Sequence, residues 1–320
     1  MKNYSNRPPP RNNYHRQTQN RYTSAPRREV TPEEKKFLSG VAINPSPRII
    51  LERGSKDITA RAMDLICPIG MGQRGLIVSP PGSGKTTLLK HICKAVSVAY
   101  PDIEIYCLLI DERPEEVTDF KREVNADVRY SSMDQTYDHH ISVAETAMND
   151  AFKTVAAGKD VMILLDSLTR LARVHNSKQQ GGGRTLSGGV DAQALEVPRR
   201  IFGAARNIQD GGSLTILATI LIETESRMDD VIFEEFKGTG NMEIVLSREI
   251  STRRLYPAID TSASNTRKLE LLLEDDELKR VDLLRRGLAD LNKVEALELL
   301  LKLLKQYPTN NELLYSLQTM

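Results

Sequence analysis

The chain has 320 residues, 40 % of them apolar and 27 % charged, with a formal net charge of +1. No apolar run reaches the roughly 18 residues of a membrane helix, and the basic N-terminus lacks the apolar core of a secretory signal. Membrane and secreted classes are therefore set aside, and a cytoplasmic setting is expected. Cys67, Cys93 and Cys107 are scattered, which fits neither a disulfide framework nor a zinc site and reads as three buried thiols in a reducing compartment.

Residues 1–30 form a basic tail. Lys2, Arg7, Arg11, Arg16, Arg21, Arg27 and Arg28 stand against one acid, Glu29, with Tyr4, Tyr14 and Tyr22 between them. Such a segment has too little apolar surface to bury a core and is expected to be disordered. Its charge and aromatics suit single-stranded nucleic acid, through phosphate pairing and base stacking; a solvated tail without a partner is the equal alternative. Residues 31–73 read as a connector with a small β segment. Thr31-Pro-Glu-Glu34 opens a short helix, with Thr31 as its cap, Pro32 at the first position and Glu34 completing a capping box; Gly40 ends it. Short β-like runs follow at Arg48–Leu51 and Ile58–Ala60. The glycine-bearing approach Pro68-Ile-Gly70-Met71-Gly72-Gln73-Arg74-Gly75 precedes the first strong strand and is expected to touch a nucleotide.

Residues 74–320 read as one α/β domain. Gly75-Leu-Ile-Val78 is a strand, Ser79-Pro-Pro-Gly-Ser-Gly-Lys-Thr-Thr87 a small-residue loop, and Leu88, Leu89, Ile92, Ala95 and Val96 keep helical spacing. That order is the layout of a phosphate-binding loop. Backbone N–H groups at a helix start hold an anion, and Gly82 and Gly84 bring the backbone close to phosphate. Lys85 reaches the phosphates and the Thr86 hydroxyl ligates Mg²⁺, so ATP with Mg²⁺ is the expected ligand; Ser83 and Thr87 join the same cradle. Ser79 stands where the pattern usually has its first Gly.

Further on, Ile103–Ile110 reads as a buried strand, and Val143, Ala144, Ala147, Met148, Ala151 and Val155 share a helical face closed by Gly158. Val161–Leu165 is a second buried strand, ended by Asp166. Asp191 to Ile208 reads as a helix that Pro198 kinks or restarts. Ser213–Ile222 is a third strong strand, Met242–Leu246 and Arg254–Ile259 are shorter ones, and the pattern after Thr266 is helical. Strands separated by helices give a mostly parallel sheet covered on both faces.

Chemistry is expected at the strand ends. Asp166 is placed to hold the Mg²⁺ shell, and Glu112, in Asp111-Glu-Arg-Pro-Glu-Glu116, to polarise the attacking water. Arg113 is placed to contact phosphate. Asn176–Gly189 is a long polar loop in which Lys178, Arg184, Thr185 and Ser187 are suited to a nucleic-acid backbone; a plain surface loop is the rival reading. Arg227 is the only cation of Glu223–Asp229. His91, His139, His140 and His175 show no metal-ligand spacing.

Four blocks resemble the transcription termination factor Rho family: Gly72–Thr86, Leu108–Val117, Leu164–Arg173 and Phe233–Met242, with the likeness extending from about Arg48 to the C-terminus. The resemblance implies a RecA-like P-loop fold in a homohexameric ring that translocates on single-stranded RNA, unwinds it and terminates transcription, with RNA polymerase as a further partner. It implies that Lys85, Glu112 and Asp166 are catalytic, with Arg267 the arginine finger given to a neighbour. It places Arg113, Arg170 and Tyr256 at the nucleotide, Tyr256 packing on adenine. It makes the loop around Arg184 and the segment of Arg227 the RNA-facing lining of the ring. The family carries a helical segment and an OB-fold ahead of its motor. Here only the tail and connector precede it, so the tail is expected to serve as a non-specific RNA tether. Two other readings share the loop and the fold: a ring ATPase that drives a protein substrate, and a regulatory subunit that joins a full-length ring.

Overall fold

The computed structural model describes residues 30–179 and 187–317. The basic tail, Arg184 and Thr185 lie outside the described residues. Helix α1 (Pro32–Leu38) is followed by β1 (Ala42–Ile43), β2 (Arg48–Ile49), α2 (Ile58–Ile66), β3 (Ile69–Gly70) and β4 (Arg74–Ser79). Alternation continues through α3 (Lys85–Ala99), β5 (Glu104–Glu112), α4 (Pro114–Glu123), β6 (Asp127–Ser132), α5 (Tyr137–Ala156), β7 (Val161–Asp166) and α6 (Leu168–Gln179). Next come α7 (Glu196–Gly203), β8 (Arg206–Ile208), β9 (Ser213–Leu221), α8 (Arg227–Phe236), β10 (Met242–Val245), α9 (Arg248–Thr252) and β11 (Asn265–Thr266). Three helices close the described chain: α10 (Asp275–Ala289), α11 (Lys293–Gln306) and α12 (Asn310–Ser316).

The main sheet runs β11-β10-β4-β9-β7-β5-β6. The six strands from β10 to β6 are mutually parallel; β11 pairs antiparallel with β10, and β8 bridges antiparallel between β1 and β9. Alternation along each strand feeds two cores. On β7, Met162 and Leu164 join α3 and α10–α12 on one face, while Val161, Ile163 and Leu165 join α1, α5 and α6 on the other. Two-sided burial is why these strands read as unbroken apolar runs.

The connector differs from its sequence reading. Ile58–Ala60 is not a strand but the start of α2, because the Asp57 carboxylate accepts from Thr59 N at 2.8 Å and caps a helix there. Arg48–Ile49 does pair, with Ile69–Gly70. Asp191–Ile208 is three pieces rather than one kinked helix. A 3₁₀ turn (Ala192–Leu195) leads into α7, Pro198 falls in its first turn, where no intrahelical N–H is needed, and Arg206–Ile208 leaves as β8. Arg254–Ile259 forms no strand; it keeps one bridge, Ile259 to Leu246, around a cis Tyr256–Pro257 bond. The Thr31 cap holds, its hydroxyl accepting from Glu34 N at 3.2 Å.

Candidate active site

Because the six strands are parallel, β4, β5, β7 and β9 end on one edge, and the loops after them converge there. Gly82 and Gly84 take φ of +77° and +96°, the left-handed conformation that turns the loop after β4 back over the start of α3. Ser79 contributes where a Gly is usual: its hydroxyl lies 2.8 Å from that of Ser83, which donates to Pro80 O at 2.8 Å. The substitution adds a tie across the loop.

Lys85 Nζ donates to both oxygens of Asp166, at 2.8 and 2.7 Å, and lies 3.8 Å from Glu112 Oε2. Thr86 Oγ1 donates to Asp166 Oδ2 at 3.0 Å, and Thr219 Oγ1, from β9, to Oδ1 at 2.9 Å. Burial alone would raise the Asp166 carboxyl. The Lys85 charge, with hydrogen bonds from Lys85 and Thr219, outweighs burial and holds it below the ordinary carboxylate value. Glu112, also buried, accepts from Arg113 N at 3.0 Å and pairs through Oε1 with Arg170 Nη1 at 2.8 Å. Its Oε2 has no hydrogen-bond partner among the described residues. One carboxylate oxygen is thus anchored, and the other stands free near the lysine of the phosphate loop. Thr86 Oγ1 and Asp166 Oδ2 are hard oxygen donors side by side, a pair that fits Mg²⁺ shared with phosphate.

Lys85, Thr86 and Arg170 border a cleft of about 900 Å³ that also takes in Ser83, Thr87, Arg113, Arg173, Thr224 and Tyr256, and the buried Glu112 and Asp166 stand behind them. Tyr256 is half-exposed and sits over the loop; a Cβ on Gly84 would meet its Cε1 at 3.5 Å. Arg173, one turn after Arg170 on α6, forms a two-pronged pair with the buried Asp229 of α8, which also accepts from Thr224 Oγ1 at 2.6 Å.

Not every expected residue comes to this cleft. Gly70, Met71, Gly72, Gln73, Arg74 and Gly75 lie at the amino end of β4, and the phosphate loop leaves its carboxyl end. Five residues of extended strand, about 16 Å, separate the two ends. Contact with a nucleotide on the chain's own loop is therefore corrected for this block. It is a structural corner instead: Gln73 Oε1 accepts from Gly70 N at 3.1 Å, and Arg74 Nε donates to Thr239 O at 2.7 Å. Arg267 follows β11 at the sheet's margin and also stays outside the cleft. Lys178 lies in the last turn of α6 and pairs with Asp138 at 2.6 Å, and Arg227 is exposed at the first turn of α8. The sequence reading missed Thr219 and Arg173. A hydroxyl near the carboxyl end of the largely apolar run Ser213–Leu221 was the available signal for Thr219.

His175, on α6, is buried. Burial, with Lys178 and Arg200 near it, pushes its imidazole down to about 4 from 6.5. It is neutral in the fold, so the unfolded chain binds the extra proton between those values, and stability falls as pH drops from 6.5 towards 4. Replacing it with Phe should flatten that slope by roughly 2–3 kcal/mol across the window, read from urea unfolding at pH 7 and pH 4.5. An unchanged slope would show that His175 is charged in the fold.

Fold and cleft together define a RecA-like P-loop ATPase. Residues 59–266 match the family described as ATP synthase alpha/beta family, nucleotide-binding domain. The chain is 50 % identical over 287 residues to transcription termination factor Rho of Haemophilus influenzae, a match covering 89 % of this chain and 68 % of that protein. It is 47 % identical over 287 residues to Rho of Karelsulcia muelleri, covering 90 % and 76 %. With Rho of Micrococcus luteus it is 50 % identical over 283 residues, but the match takes in 41 % of that longer protein. The chain belongs to the Rho family, and it is an ATP-hydrolysing enzyme. Among solved structures it superposes on an ATPase of the type III secretion system of pathogenic bacteria with a TM-score of 0.74 at 24 % identity, covering 91 % and 89 % of the two chains. On the assembled ATPase EscN of enteropathogenic E. coli the score is 0.70 at 23 % identity, covering 87 % and 72 %. These two likenesses concern the fold.

Proposed function

We propose that this chain is an ATP-driven motor that moves along single-stranded RNA and terminates transcription, working as a ring of identical copies with ATP at each seam. The observation that carries the reading is the split of the machinery. Lys85 and Thr86 border the cleft and contact the buried Asp166 and Glu112 directly behind them, whereas Arg267, the arginine that matches the family's finger, lines a different pocket. A second copy is then needed to complete the site, and six is the number that the family resemblance supplies. In the proposed chemistry the free Oε2 of Glu112 takes a proton from the attacking water, while Arg170 holds the other oxygen in place. Lys85 and the loop N–H groups balance phosphate charge; Mg²⁺, held by Thr86 and Asp166, would supply further charge neutralisation there. Lys178 and Arg227, with Arg184 and Thr185 of the intervening loop, are assigned to the RNA backbone. RNA polymerase is the partner that termination implies.

The test is ATP hydrolysis by the purified chain at low salt, with and without single-stranded RNA. Strong stimulation by RNA supports the motor. RNA-independent turnover would favour an ATPase that drives a protein substrate, and no turnover in either condition would favour a subunit that works only with a partner.

A further inference from the structure

Two of the three cysteines face each other in the core. Cys93 lies on α3 and Cys107 on β5, both fully buried on the same side of the sheet, and their sulfurs are 3.7 Å apart. They stand 14 residues apart in sequence, so packing of the helix on the strand makes the contact. The third, Cys67, is engaged elsewhere: its thiol donates to Glu243 O at 3.5 Å, and burial pushes it up to about 12. When Cys93 is ionised, the Cys107 S–H donates to it. That hydrogen bond holds the Cys93 thiol below its ordinary value although burial opposes it, and the same bond, with burial, pushes the Cys107 thiol up. Cys93 is therefore the nucleophile of the pair. Both thiols sit on elements that deliver the site. α3 opens on Lys85 and Thr86, β5 ends on Glu112, and the ATP-hydrolysis reading uses neither sulfur.

We propose that Cys93 and Cys107 are a reversible dithiol–disulfide site, oxidised by hydroperoxides, whose closure clamps α3 to β5 and slows ATP turnover. The Cys93 thiolate attacks one peroxide oxygen and the O–O bond breaks. The other oxygen leaves as water or alcohol, carrying the proton that Cys93 gave up, and Cys93 becomes a sulfenic acid. Cys107 then attacks the Cys93 sulfur. The S–S bond forms, the S–O bond breaks, and the departing hydroxide takes the Cys107 proton and leaves as water. Two thiols have lost two electrons and one peroxide has gained them. Hydrogen peroxide is hardly larger than water and reaches the pair during local openings of the packed helix. A disulfide spans about 2.05 Å, so the sulfurs must close by about 1.7 Å. α3 and β5 share that movement, and they carry Lys85 Nζ and Glu112 Oε2, which stand 3.8 Å apart. Misplacing reacting groups by about 1 Å costs on the order of 10² in rate.

The experiment treats the purified chain with hydrogen peroxide, removes the excess, and divides the sample. One part is denatured, its free thiols are alkylated with iodoacetamide, and it is weighed and mapped by mass spectrometry. Cys67 alone should take the label, and one peptide pair should be joined through Cys93 and Cys107. The other part is assayed for ATP turnover in the presence of single-stranded RNA. Turnover should fall by about tenfold or more and return on adding dithiothreitol. Cys93→Ala should keep its turnover through the same treatment, and Cys107→Ala, which also removes the link, repeats the comparison should the first variant not fold. Three labelled cysteines after treatment overturn the proposal. So does a joined pair with unchanged turnover, or an equal loss of turnover in the variants, which would place the peroxide's target elsewhere.

Discussion

Arg267→Ala is expected to lower ATP turnover by about 10³–10⁵ while leaving nucleotide binding to the single chain within twofold of wild type. The asymmetry follows from placement. The arginine follows β11 and does not line the cleft that Lys85, Thr86, Arg113 and Arg170 border, so its loss removes nothing from the chain's own binding site. In the proposed ring, what it removes is the charge offered to a neighbour's transferring phosphoryl group. Mixing gives the sharper test. An Arg267→Ala chain retains an intact cleft and a Lys85→Ala chain retains an intact finger, so two inactive proteins should regain measurable turnover when combined. Full loss of nucleotide binding in Arg267→Ala, or no recovery in the mixture, would place the arginine within its own subunit's site and remove the argument for shared seams.

Lys85→Ala should abolish hydrolysis, by at least about 10³, and should also weaken the fold. The lysine is the nearest cation against which the fully buried Asp166 is ionised, so removing it leaves a charge held by the hydroxyls of Thr86 and Thr219 and the more distant Arg170 guanidinium. Breaking such a buried pair costs about 3 kcal/mol, measured by urea unfolding at pH 7. The sign with pH is fixed by Asp166. Its folded value lies below 3.8, so the stabilisation that the pair gives is present above that pH and is lost as acid protonates the carboxylate. The deficit of Lys85→Ala should therefore shrink as the pH is lowered. Adding Asp166→Asn to the variant should restore stability at pH 7 but not turnover. A variant as stable as wild type at neutral pH would show that the Lys85–Asp166 pair carries no folding energy.

The sheet was legible because its strands are buried on both faces. Ile103–Ile110, Val161–Leu165 and Ser213–Ile222 are predominantly apolar, and each ends at or near residues of the candidate site. The phosphate loop declared itself through its glycines and its neighbours. The connector was harder. Ile58 and Thr59 are β-branched and suggested a strand, yet one side chain, Asp57, capped a helix there and tertiary burial of α2 did the rest. Arg206–Ile208 became a strand only by pairing with β1 and β9, contacts far apart in sequence. The block Gly70–Gly75 was placed at the nucleotide because its glycines lead directly into the loop strand, and strand direction moved it to the opposite edge. The pairing of Glu112 with Arg170 was beyond local reading too, since it joins the end of one strand to a helix that begins after another.

The neighbourhood of β4, β10 and β11 has a mechanical meaning. The strand that delivers the phosphate loop and the strand that precedes Arg267 are separated by one hydrogen-bonded strand, so they move as a single plate. In the proposed ring each copy would then be a stiff link with a receiving seam on one side and a giving seam on the other. Tilting such a link to press its arginine into one neighbour must also shift the cleft that it presents to the other. Seams joined in this way cannot tighten independently, and catalysis would pass around the circle as a travelling wave rather than as simultaneous firing.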